Sequence, residues 1–534
     1  MKLLRKAVWI SALSSVLALI TSSTAVAGVT TPVRASALAS PLAACASQDG
    51  VQIAATGGRN YLNAEVEPTL GVYGNHLIGQ WHEDRWSNGG GHGIGVGVSN
   101  GGTSWSNSVM PWDACAPGTP PSLSSYLRNS DPWVSFGPDG TAYASGLAFN
   151  LGFPDWANAV AVATSSDFGA SWQNAQPIPG SAFTQFAQST DKNSTTADPR
   201  MSHAGTAYTV WDTLIEPTDN PDDNPHTSSY TGPAYFSKTT DYGAHWSQAK
   251  VIIDTKVRQQ TIGNIIVVDP RNGTMYDFTN LIVSPNTPRQ GTRSNALLAF
   301  VKSTDGGDTW TQPQVIAPLN QLGVIDPNTG EHLRTGDVLF SVAISGDGNL
   351  YATWQASTNY QKQLKQSVGN WDDQIVFARS TDGGQTWSGP TVIHTASGLP
   401  TFTPTIAVNN GTIAVTYYDV RFLTPNQMAN LPTDYWVEYS TNGGVSFGNE
   451  QRITVTPFDS RTAPIARGFF LGDYEGMQPM GSGFGVLFVK TNCDATDSQG
   501  QVFPTGGACA PASSTSTTTS NTNPTDAFFA KASP

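Results

Sequence analysis

One eight-residue pattern, S-x-D-x-G-x-x-W, recurs along the chain and constrains the fold more than any other feature. The copies lie 60 to 77 residues apart, which is long enough for one four-stranded sheet with its loops. Repeats of this period indicate an array of similar structural units. The six copies, of which the first and last are degenerate, end at Trp105, Trp172, Trp246, Trp310, Trp387 and Phe447.

Each copy of the pattern predicts a hairpin turn. The Asp or Asn side chain accepts hydrogen bonds from backbone N–H groups just downstream, the glycines adopt positive φ, and the aromatic ring folds back over the turn. We therefore predict a structural role for the residue at the third position, and neither a catalytic nor a metal-binding one. These residues are Asn100, Asp167, Asp241, Asp305, Asp382 and Asn442.

Short stretches on either side of each turn predict the strands. They alternate apolar and polar residues and are separated by turn residues, which is typical of antiparallel sheets built from short strands. We expect an acidic or polar residue, often followed by proline, at the start of most units. The six units are expected to open near Glu67, Asp131, Asp198, Gly263, Asp337 and Phe402.

The sequence after the sixth turn contains three more predicted strands and lacks a fourth. Residues 51–54 form an apolar segment without a partner nearby, so we predict that they complete this last sheet. Such pairing closes the array into a ring and protects its sheet edges. The expected fold is all-β, with seven four-stranded units in one domain over residues 45–534 and a Ser/Thr-rich loop at 510–524. Six units are the alternative if residues 460–534 form an appendage.

The first 27 residues resemble a secretory signal peptide. Three basic residues precede an apolar run at 8–20, and Ala25, Val26 and Ala27 provide a small-residue cleavage site. The run is too short to span a bilayer. We therefore expect a secreted, extracellular protein with no membrane span, in which residues 28–44 form a disordered leader rich in Ala, Ser, Thr and Pro.

The four cysteines are expected to form disulfides, because exported proteins meet an oxidising environment. Sequence proximity favours Cys45 with Cys115 and Cys493 with Cys509, although two other pairings are possible. Residues 42–45 look like a lipoprotein cleavage box, but they lie about 25 residues beyond the apolar run instead of next to it. No cysteine or histidine cluster has the spacing of a zinc site, so we predict no metal and no cofactor.

The formal net charge of −13 argues against a nucleic-acid partner, because phosphate binding requires a basic surface. We expect a monomer that binds a glycan or polysaccharide. In a ring of such sheets, the loops that lead into each first strand and those that leave each second strand meet at one end, opposite the repeated turns. The polar residues expected there are Glu67, Glu83, Asp84, Arg85, Trp86, Arg128, Asp131, Asp198, Asp212, Arg334, Asp337, Gln355, Tyr417, Tyr418, Asp419, Arg421, Arg467 and Asp473.

This mixture of side chains suits a carbohydrate site. Aromatic rings stack on sugar faces, carboxylates act as acid, base or nucleophile on glycosidic bonds, and arginines bind anionic groups. A structural alternative applies to the acidic residues at strand starts, because Asp and Glu there also bind backbone N–H groups of neighbouring loops.

The repeated turn resembles the Asp-box of the sialidase-like β-propellers, and this resemblance covers the chain from about residue 60 onward. It implies a β-propeller fold and an exo-α-sialidase-like glycosidase that acts on sialic acid or related acidic sugars. Sialidases carry an arginine triad for the substrate carboxylate, an aspartate as acid/base, and a tyrosine nucleophile paired with a glutamate. The same fold also hosts proteins that bind glycans or proteins without catalysis, and a polysaccharide lyase is a third possibility.

Residues 81–89 are similar to the first-unit segment in which sialidases place one of these arginines and then the acid/base aspartate. Arg85 fits the arginine; the following residues lack the aspartate, which leaves Asp84 as its substitute. Glu67 and Pro68 stand where an Arg-Ile-Pro signature is expected. The resemblance implies that the remaining arginines complete the triad and that a tyrosine supplies the nucleophile. The candidates for these roles are Arg128, Arg334, Arg421, Arg467, Tyr417, Tyr418 and Tyr474, with Asp419 as a further carboxylate.

Overall fold

The computed structural model describes residues 28–48, 50, 56–152, 155–218, 230–283, 295–336, 338–357, 360, 373–394, 398–492 and 525–534. In this part of the chain β-strands dominate, and the all-β class predicted from the sequence is confirmed. The strands pair into antiparallel sheets that follow one another along the chain and are numbered here in that order. Short 3-10 helices lie at Ala43–Gln48, Met201–His203 and Ser460–Thr462.

Sheets 1 to 3 each contain four strands in sequence order, from the first, innermost strand to the fourth, outermost one. Sheet 1 comprises Val66–Tyr73, His76–Glu83, Gly93–Asn100 and Ser106–Val109. Sheet 2 comprises Arg128–Phe136, Ala142–Phe149, Asn158–Ser165 and Gln173–Pro177. Sheet 3 comprises Gln188–Ala197, Ala207–Ile215, Ala234–Thr239 and Lys250–Ile253.

Sheets 4 to 6 repeat this plan. Sheet 4 comprises Gln259–Val268, Met275–Val283, Asn295–Ser303 and Gln314–Pro318. Sheet 5 comprises Phe340–Ile344, Leu350–Ala356, Gln374–Ser380 and Thr391–Val392. Sheet 6 comprises Thr401–Asn409, Thr412–Asp419, Pro432–Ser440 and Gly448–Arg452.

Sheet 7 joins the two ends of the chain. Its strands Gly476–Met480, Gly483–Thr491 and Thr525–Ser533 are followed by Gly28–Val29 and Val33–Arg34, which both pair with Thr525–Ser533. An N-terminal segment therefore completes the last sheet, but residues 28–34 do so, and the predicted residues 51–54 lie outside the described part of the chain. The prediction of a disordered leader at 28–44 is wrong for residues 28–36, because these residues find backbone partners about 500 positions away.

Short strand pairs connect these sheets. Asn60–Tyr61 pairs with Arg85–Trp86, and Phe458–Asp459 pairs with the third strand of sheet 6. Thr231–Gly232 bridges sheets 3 and 4. Val324–Ile325, His332–Arg334 and Phe469–Phe470 form a small sheet of their own.

The first strands of neighbouring sheets contact one another, from sheet 1 through to sheet 7, and the first strand of sheet 7 contacts that of sheet 1. The first strands thus surround a common centre. Within an antiparallel four-stranded sheet, the turns between strands 1 and 2 and between strands 3 and 4 lie at one edge, and the remaining loops lie at the other. We call the end that carries the 2–3 loops and the incoming first strands the funnel end.

The repeated turns join strands 3 and 4, and therefore lie opposite the funnel end. In the turn at Asp305, the carboxylate accepts the backbone N–H of Thr309 at 2.9 Å and the hydroxyl of Ser303 at 2.8 Å. The turns at Asp167, Asp241, Asp382 and Asn442 have the same bonds. The first turn keeps only the bond from its glycine N–H to a hydroxyl, from Gly102 to Ser99, which the other turns also have. Asn100 is exposed, and the hydrogen bonds predicted for its side chain are not among those of the described residues.

Four of the turns carry two adjacent glycines, and in these turns the second glycine packs against an aromatic ring of the preceding sheet. A Cβ atom on Gly384 would lie 2.6 Å from the Phe300 ring of sheet 4, and one on Gly307 would overlap the Phe236 ring of sheet 3. Gly102 of sheet 1 meets Phe529 of sheet 7 in the same way. The turn therefore also joins neighbouring sheets, because only glycine leaves room for the ring.

The first strands are interrupted by β-bulges at their funnel ends. The pairing register shifts next to Glu67, Asp131, Lys192, Gly263 and Thr403, and each of these residues has φ between 41° and 75°. A bulge re-aims the side chain of its extra residue. The bulges of sheets 1, 2 and 3 direct charged side chains into the centre of the funnel.

Candidate functional site

A cavity of about 600 Å³ opens at the funnel end. It is lined by residues of the 2–3 loops of sheets 1 to 3 and of the segments that lead into several first strands. A second cavity of about 120 Å³ lies along the axis between the first strands, and Lys192, Gly336 and Asp473 line both cavities. We call the larger cavity the central pocket and the charged residues around Lys192 its floor.

Lys192 is the centre of this floor. Its Nζ atom lies 3.2 Å from Glu67 Oε1, 3.2 Å from Asp131 Oδ1 and 3.0 Å from Asp473 Oδ2. Arg334 donates through Nε to Asp473 Oδ1 at 2.9 Å and also pairs through Nη2. Three buried carboxylates from sheets 1, 2 and 7 therefore share two cations.

The carboxylates of the floor also hold the backbone of neighbouring sheets. Asp131 accepts the N–H of Lys192 at 3.1 Å, and Glu67 accepts the N–H of Asp473 at 3.3 Å. These bonds tie sheet 2 to sheet 3 and sheet 1 to sheet 7. The structural alternative for acidic residues at strand starts thus describes one part of what Glu67 and Asp131 do.

The floor sets different protonation states for its two central carboxyls. Burial would raise the pKa of Glu67, but Lys192 and His82 hold this pKa well below its usual value. Burial raises the pKa of Asp131 to about 6 against the opposing effect of Lys192. Glu67 is therefore ionised and Asp131 is half-protonated in mildly acidic solution.

His82, from the second strand of sheet 1, lies between the Glu67 carboxylate and the backbone of Asp131. Its Nε2 atom lies 2.9 Å from Glu67 Oε2 and 2.9 Å from the backbone nitrogen of Asp131. One ring nitrogen can donate or accept, but not both at once. Burial lowers the pKa of His82, so the imidazole is neutral at physiological pH.

Three arginines line the central pocket. The guanidinium carbons of Arg85 and Arg334 lie 4.9 Å and 4.4 Å from the Phe470 ring centre, and the parallel pairing of His332–Arg334 with Phe469–Phe470 fixes this arrangement. Arg85 is only 2% exposed, and burial together with Arg334 lowers its pKa to about 10. Arg467 is exposed and has a positive φ of 66°.

Asp84 is buried but does not line the central pocket. Its carboxylate accepts the backbone N–H of Asn63 at 2.6 Å and the Ser40 hydroxyl at 2.8 Å, and it lies 2.8 Å from His92 Nδ1. It therefore fastens the N-terminal segment to sheet 1.

Trp86 and Arg128 form a contact behind the wall of the pocket. Arg128 lies 4.2 Å over the Trp86 ring and donates to Asn88 Oδ1 at 2.8 Å and to the Gly89 carbonyl at 3.0 Å. Both side chains are fully buried. They shape the loop at 87–90, which itself lines the pocket.

The candidate residues of sheet 6 form a separate cluster. Arg421 donates both terminal nitrogens to Glu450 at 2.7 Å and its Nε to Asp419, and it stacks 3.6 Å over Trp436. The Tyr417 hydroxyl donates to Glu450, and Tyr417 is buried in the core between sheets 5 and 6. None of these residues lines the central pocket.

Three further candidates lie elsewhere. Asp198 follows the first strand of sheet 3 and so lies at the end opposite the funnel, where it binds Arg200 and the Tyr208 hydroxyl; its predicted place at a strand start is wrong. Asp337 lies outside the described residues. Tyr474 lines the axial cavity beneath the floor, with Lys192 Nζ 5.1 Å from its ring centre.

Lys192 and His82 were missed by the sequence analysis. The unit of sheet 3 was expected to open at Asp198, so Lys192, six residues earlier, was left outside the unit. A signal was present, because Asp191, Lys192 and Asn193 interrupt an otherwise uncharged strand. His82 lies on a predicted second strand, but only the register of sheets 1 and 2 shows that it faces Asp131.

Among the described residues, Glu67, His82 and Asp131 are a group whose ligand atoms lie within 4.8 Å of one another and could hold a metal ion. The Lys192 ammonium already supplies a positive charge between the two carboxylates.

Cys45 and Cys115 form a disulfide, as predicted, which argues against a lipid on Cys45. Cys493 and Cys509 lie outside the described residues. No described helix is both long enough and apolar enough for a membrane span.

The fold and the pocket define an all-β protein with a charged central site, and its relatives are distant. No protein-family model matches the chain. A curated sialidase of Bacteroides fragilis is 25% identical over 186 residues, which is 32% of this chain and 32% of the relative. The chain therefore matches about one third of the length of that relative.

The solved structures that are similar to this chain match it with low TM-scores and low sequence identity. A Hadza microbial sialidase has a TM-score of 0.42 at 13% identity and covers 77% of this chain and 70% of its own. An α-L-arabinanase of Penicillium chrysogenum has a TM-score of 0.43 at 11% identity, covering 73% of this chain and 93% of its own. The chain is similar to the sialidase-like superfamily at low sequence identity.

Proposed function

We propose that the chain is a secreted, sialidase-like glycoside hydrolase that removes a terminal acidic sugar from a glycan. In this proposal the seven sheets are the blades of a closed β-propeller, and residues 28–34 close it. The protein acts as a monomer. A signal peptide at 1–27 together with the Cys45–Cys115 disulfide supports export. N-terminal sequencing of protein recovered from culture medium tests this part, with Gly28 as the expected first residue.

The observation that carries the proposal is the presence of three arginines in one pocket beside paired carboxyls. The buried Arg85 donates one hydrogen bond, to the Gly90 carbonyl at 2.7 Å, and its Nε has no partner among the described residues. Arg467 has no ion pair within the described part of the chain. A sugar carboxylate would satisfy these donors, because guanidinium groups bind carboxylates in a bidentate, charge-assisted manner.

Glu67 and Asp131 are the proposed reacting groups. An oxygen of each lies within 4.8 Å of an oxygen of the other, and closely spaced carboxyls are typical of retaining glycosidases, in which they lie about 5–5.5 Å apart. The ionised Glu67 attacks the anomeric carbon while the protonated Asp131 gives its proton to the leaving oxygen. Water then releases the sugar as Asp131 takes a proton back. Lys192 holds Glu67 in its ionised form.

Hydrolysis of fluorogenic glycosides tests the proposal. We expect turnover on an α-sialoside or a hexuronide, and a loss of about 10²–10⁴-fold in kcat for Glu67→Gln and for Asp131→Asn. Asp198→Asn is a matched control, because Asp198 lies at the opposite end of the sheets and should keep full activity. Turnover should fall above pH 6, since the proton donor Asp131 has a pKa of about 6. Full activity of Glu67→Gln would remove this residue from the mechanism.

A non-catalytic glycan-binding protein is the second candidate, and one observation favours it. Lys192 and backbone N–H groups already occupy oxygens of both Glu67 and Asp131, which leaves less freedom for nucleophilic attack. Binding of acidic glycosides without turnover, lost on Arg85→Met and kept in Glu67→Gln, would select this candidate. The predicted catalytic roles of Asp84, Asp419, Tyr417 and Tyr474 remain predictions for which the pocket geometry offers no support.

A further inference from the structure

An aromatic pair forms one side of the central pocket, away from its charged floor. Trp156 follows the second strand of sheet 2, and Phe186 precedes the first strand of sheet 3. Their ring centres lie 5.0 Å apart with the planes at 71°, and both side chains line the pocket and are partly exposed. We call this part of the pocket the aromatic lobe.

The backbone that carries Trp156 is tightly held. Asn150 donates through Nδ2 to Asp155 at 2.7 Å and through its backbone N–H to the Ala157 carbonyl at 2.7 Å. Asn158 exchanges two backbone hydrogen bonds with Phe183 at 2.8 and 2.9 Å, which ties this loop to the segment before Phe186. The two rings therefore form a preorganised surface, which reduces the entropy cost of binding.

The chemistry of the lobe differs from that of the floor. Gln185, Gln188 and Ser189 line the pocket near the rings and offer amides and a hydroxyl. Glu216, whose backbone N–H donates to the Ala187 carbonyl at 2.8 Å, adds an acidic residue to this lining. Aromatic rings beside hydrogen-bonding groups without a cation suit an uncharged sugar, whose C–H face stacks while its hydroxyls bind the polar groups. The cavity of about 600 Å³ is continuous from the lobe to the floor.

We propose that Trp156 and Phe186 form a subsite for an uncharged sugar ring that is glycosidically joined to the acidic sugar held at the floor. This inference rests on the proposed function for the identity of the second sugar. With this subsite, the protein should bind an acidic oligosaccharide more tightly than a simple acidic glycoside. Trp156 is then the residue that sets the preference for the sugar beyond the bond to be cleaved.

Calorimetric titration of the purified protein with matched sugars tests the subsite. The probes are methyl α-sialoside with 3′-sialyllactose, methyl glucuronide with cellobiouronic acid, and lactose and cellobiose as uncharged sugars. We expect the parent to bind at least one acidic disaccharide about tenfold more tightly than its monosaccharide. Trp156→Ala should remove that difference and leave the monosaccharide Kd unchanged, and Trp156→Phe should restore most of it.

Phe422→Ala is the matched control, because Phe422 is an aromatic residue with 48% exposure that does not line the pocket. An unchanged disaccharide preference in a folded Trp156→Ala protein would overturn the subsite, as would equal affinity of the parent for an acidic disaccharide and its monosaccharide. If lactose or cellobiose binds in a Trp156-dependent manner while no acidic sugar binds, the subsite stands and the proposed function fails. If no probe shows Trp156-dependent binding, the subsite is excluded.

Discussion

At the scale of single residues, the floor of the pocket depends on one buried cation. Lys192 faces Glu67, Asp131 and Asp473, and these three carboxylates would repel one another in its absence. Burial would lower the pKa of Lys192, but the three carboxylates raise it well above its usual value. A charged lysine is therefore part of the fold as well as of the site.

Lys192→Met should destabilise the protein by about 3–5 kcal/mol at pH 7, because it leaves buried charges uncompensated. The low pKa of Glu67 gives the parent stability above the unfolded-state value of 4.5, and this stability is lost as pH falls. The difference between variant and parent should therefore shrink as pH falls below 4.5, as measured by urea unfolding. Lys238→Met is the control. Lys238 pairs with the exposed Asp308, and because solvent screens such a pair, the loss of folding stability should be less than about 1 kcal/mol. A pH-independent difference would contradict this account.

Asp277 is a buried acid that has no role in the site. Neither oxygen has a hydrogen-bond partner among the described residues, and burial raises its pKa well above 3.8. Such a group destabilises the folded protein as pH rises, because the carboxyl ionises at a lower pH in the unfolded chain than in the folded one. Asp277→Asn should therefore stabilise the protein at pH 7 by about 1–3 kcal/mol, with little effect below pH 4. A variant that melts below the parent at pH 8 would show that the carboxylate has a partner.

At the scale of the element, the repeated turn has two functions. Its acidic or amide residue holds the backbone of its own hairpin, and, in turns with two adjacent glycines, the second one makes room for a ring of the preceding sheet. The turns could be located from the sequence because every residue that builds them is local. The packing of Gly307 on Phe236 joins residues of different sheets, and no local pattern indicates such a contact.

Substitution of two adjacent glycines, Gly306 and Gly307, can separate backbone strain in the turn from packing between the sheets. Gly306 and Gly307 have φ of 71° and 86°, so alanine at either position costs about 1 kcal/mol of backbone strain. A Cβ on Gly306 has only Lys238 Nζ within 4 Å, at 3.9 Å, whereas one on Gly307 overlaps Phe236. Gly307→Ala should therefore cost about 1–3 kcal/mol more than Gly306→Ala in thermal or urea unfolding. Equal losses would mean that the turn contributes nothing to packing between the sheets.

The same contrast between local patterns and distant contacts explains which residues of the site could be predicted from the sequence. Glu67 and Asp131 were found because each precedes a proline at a strand start. Asp198 shares that signature but lies at the opposite end of its sheet, since composition does not show which end of a strand a turn occupies. Lys192 holds the equivalent position, and only the register of sheet 3 places it there.

At the scale of the whole molecule, the ends of the chain meet in sheet 7. Gly28 pairs with Ser533, and Val33 pairs with Phe529, so the N-terminal segment covers the outer edge of Thr525–Ser533. The sequence showed that a strand was missing from the last unit, but the pairing of residues so far apart could not be assigned from composition. The small and polar residues of this segment are typical of a linker, and their composition does not indicate that they pair with a strand.

Comparison of a chain that starts at Gly28 with one that starts at Ser36 tests this closure. The shorter chain exposes an unpaired sheet edge, so we expect a lower Tm and self-association at high concentration. A synthetic peptide of residues 28–35 should bind the vacant edge by strand addition and restore the Tm, whereas a scrambled peptide should not. The Cys45–Cys115 disulfide is kept in both chains and does not contribute to the difference. An unchanged Tm in the shorter chain would show that the ring is closed by contacts among the first strands alone.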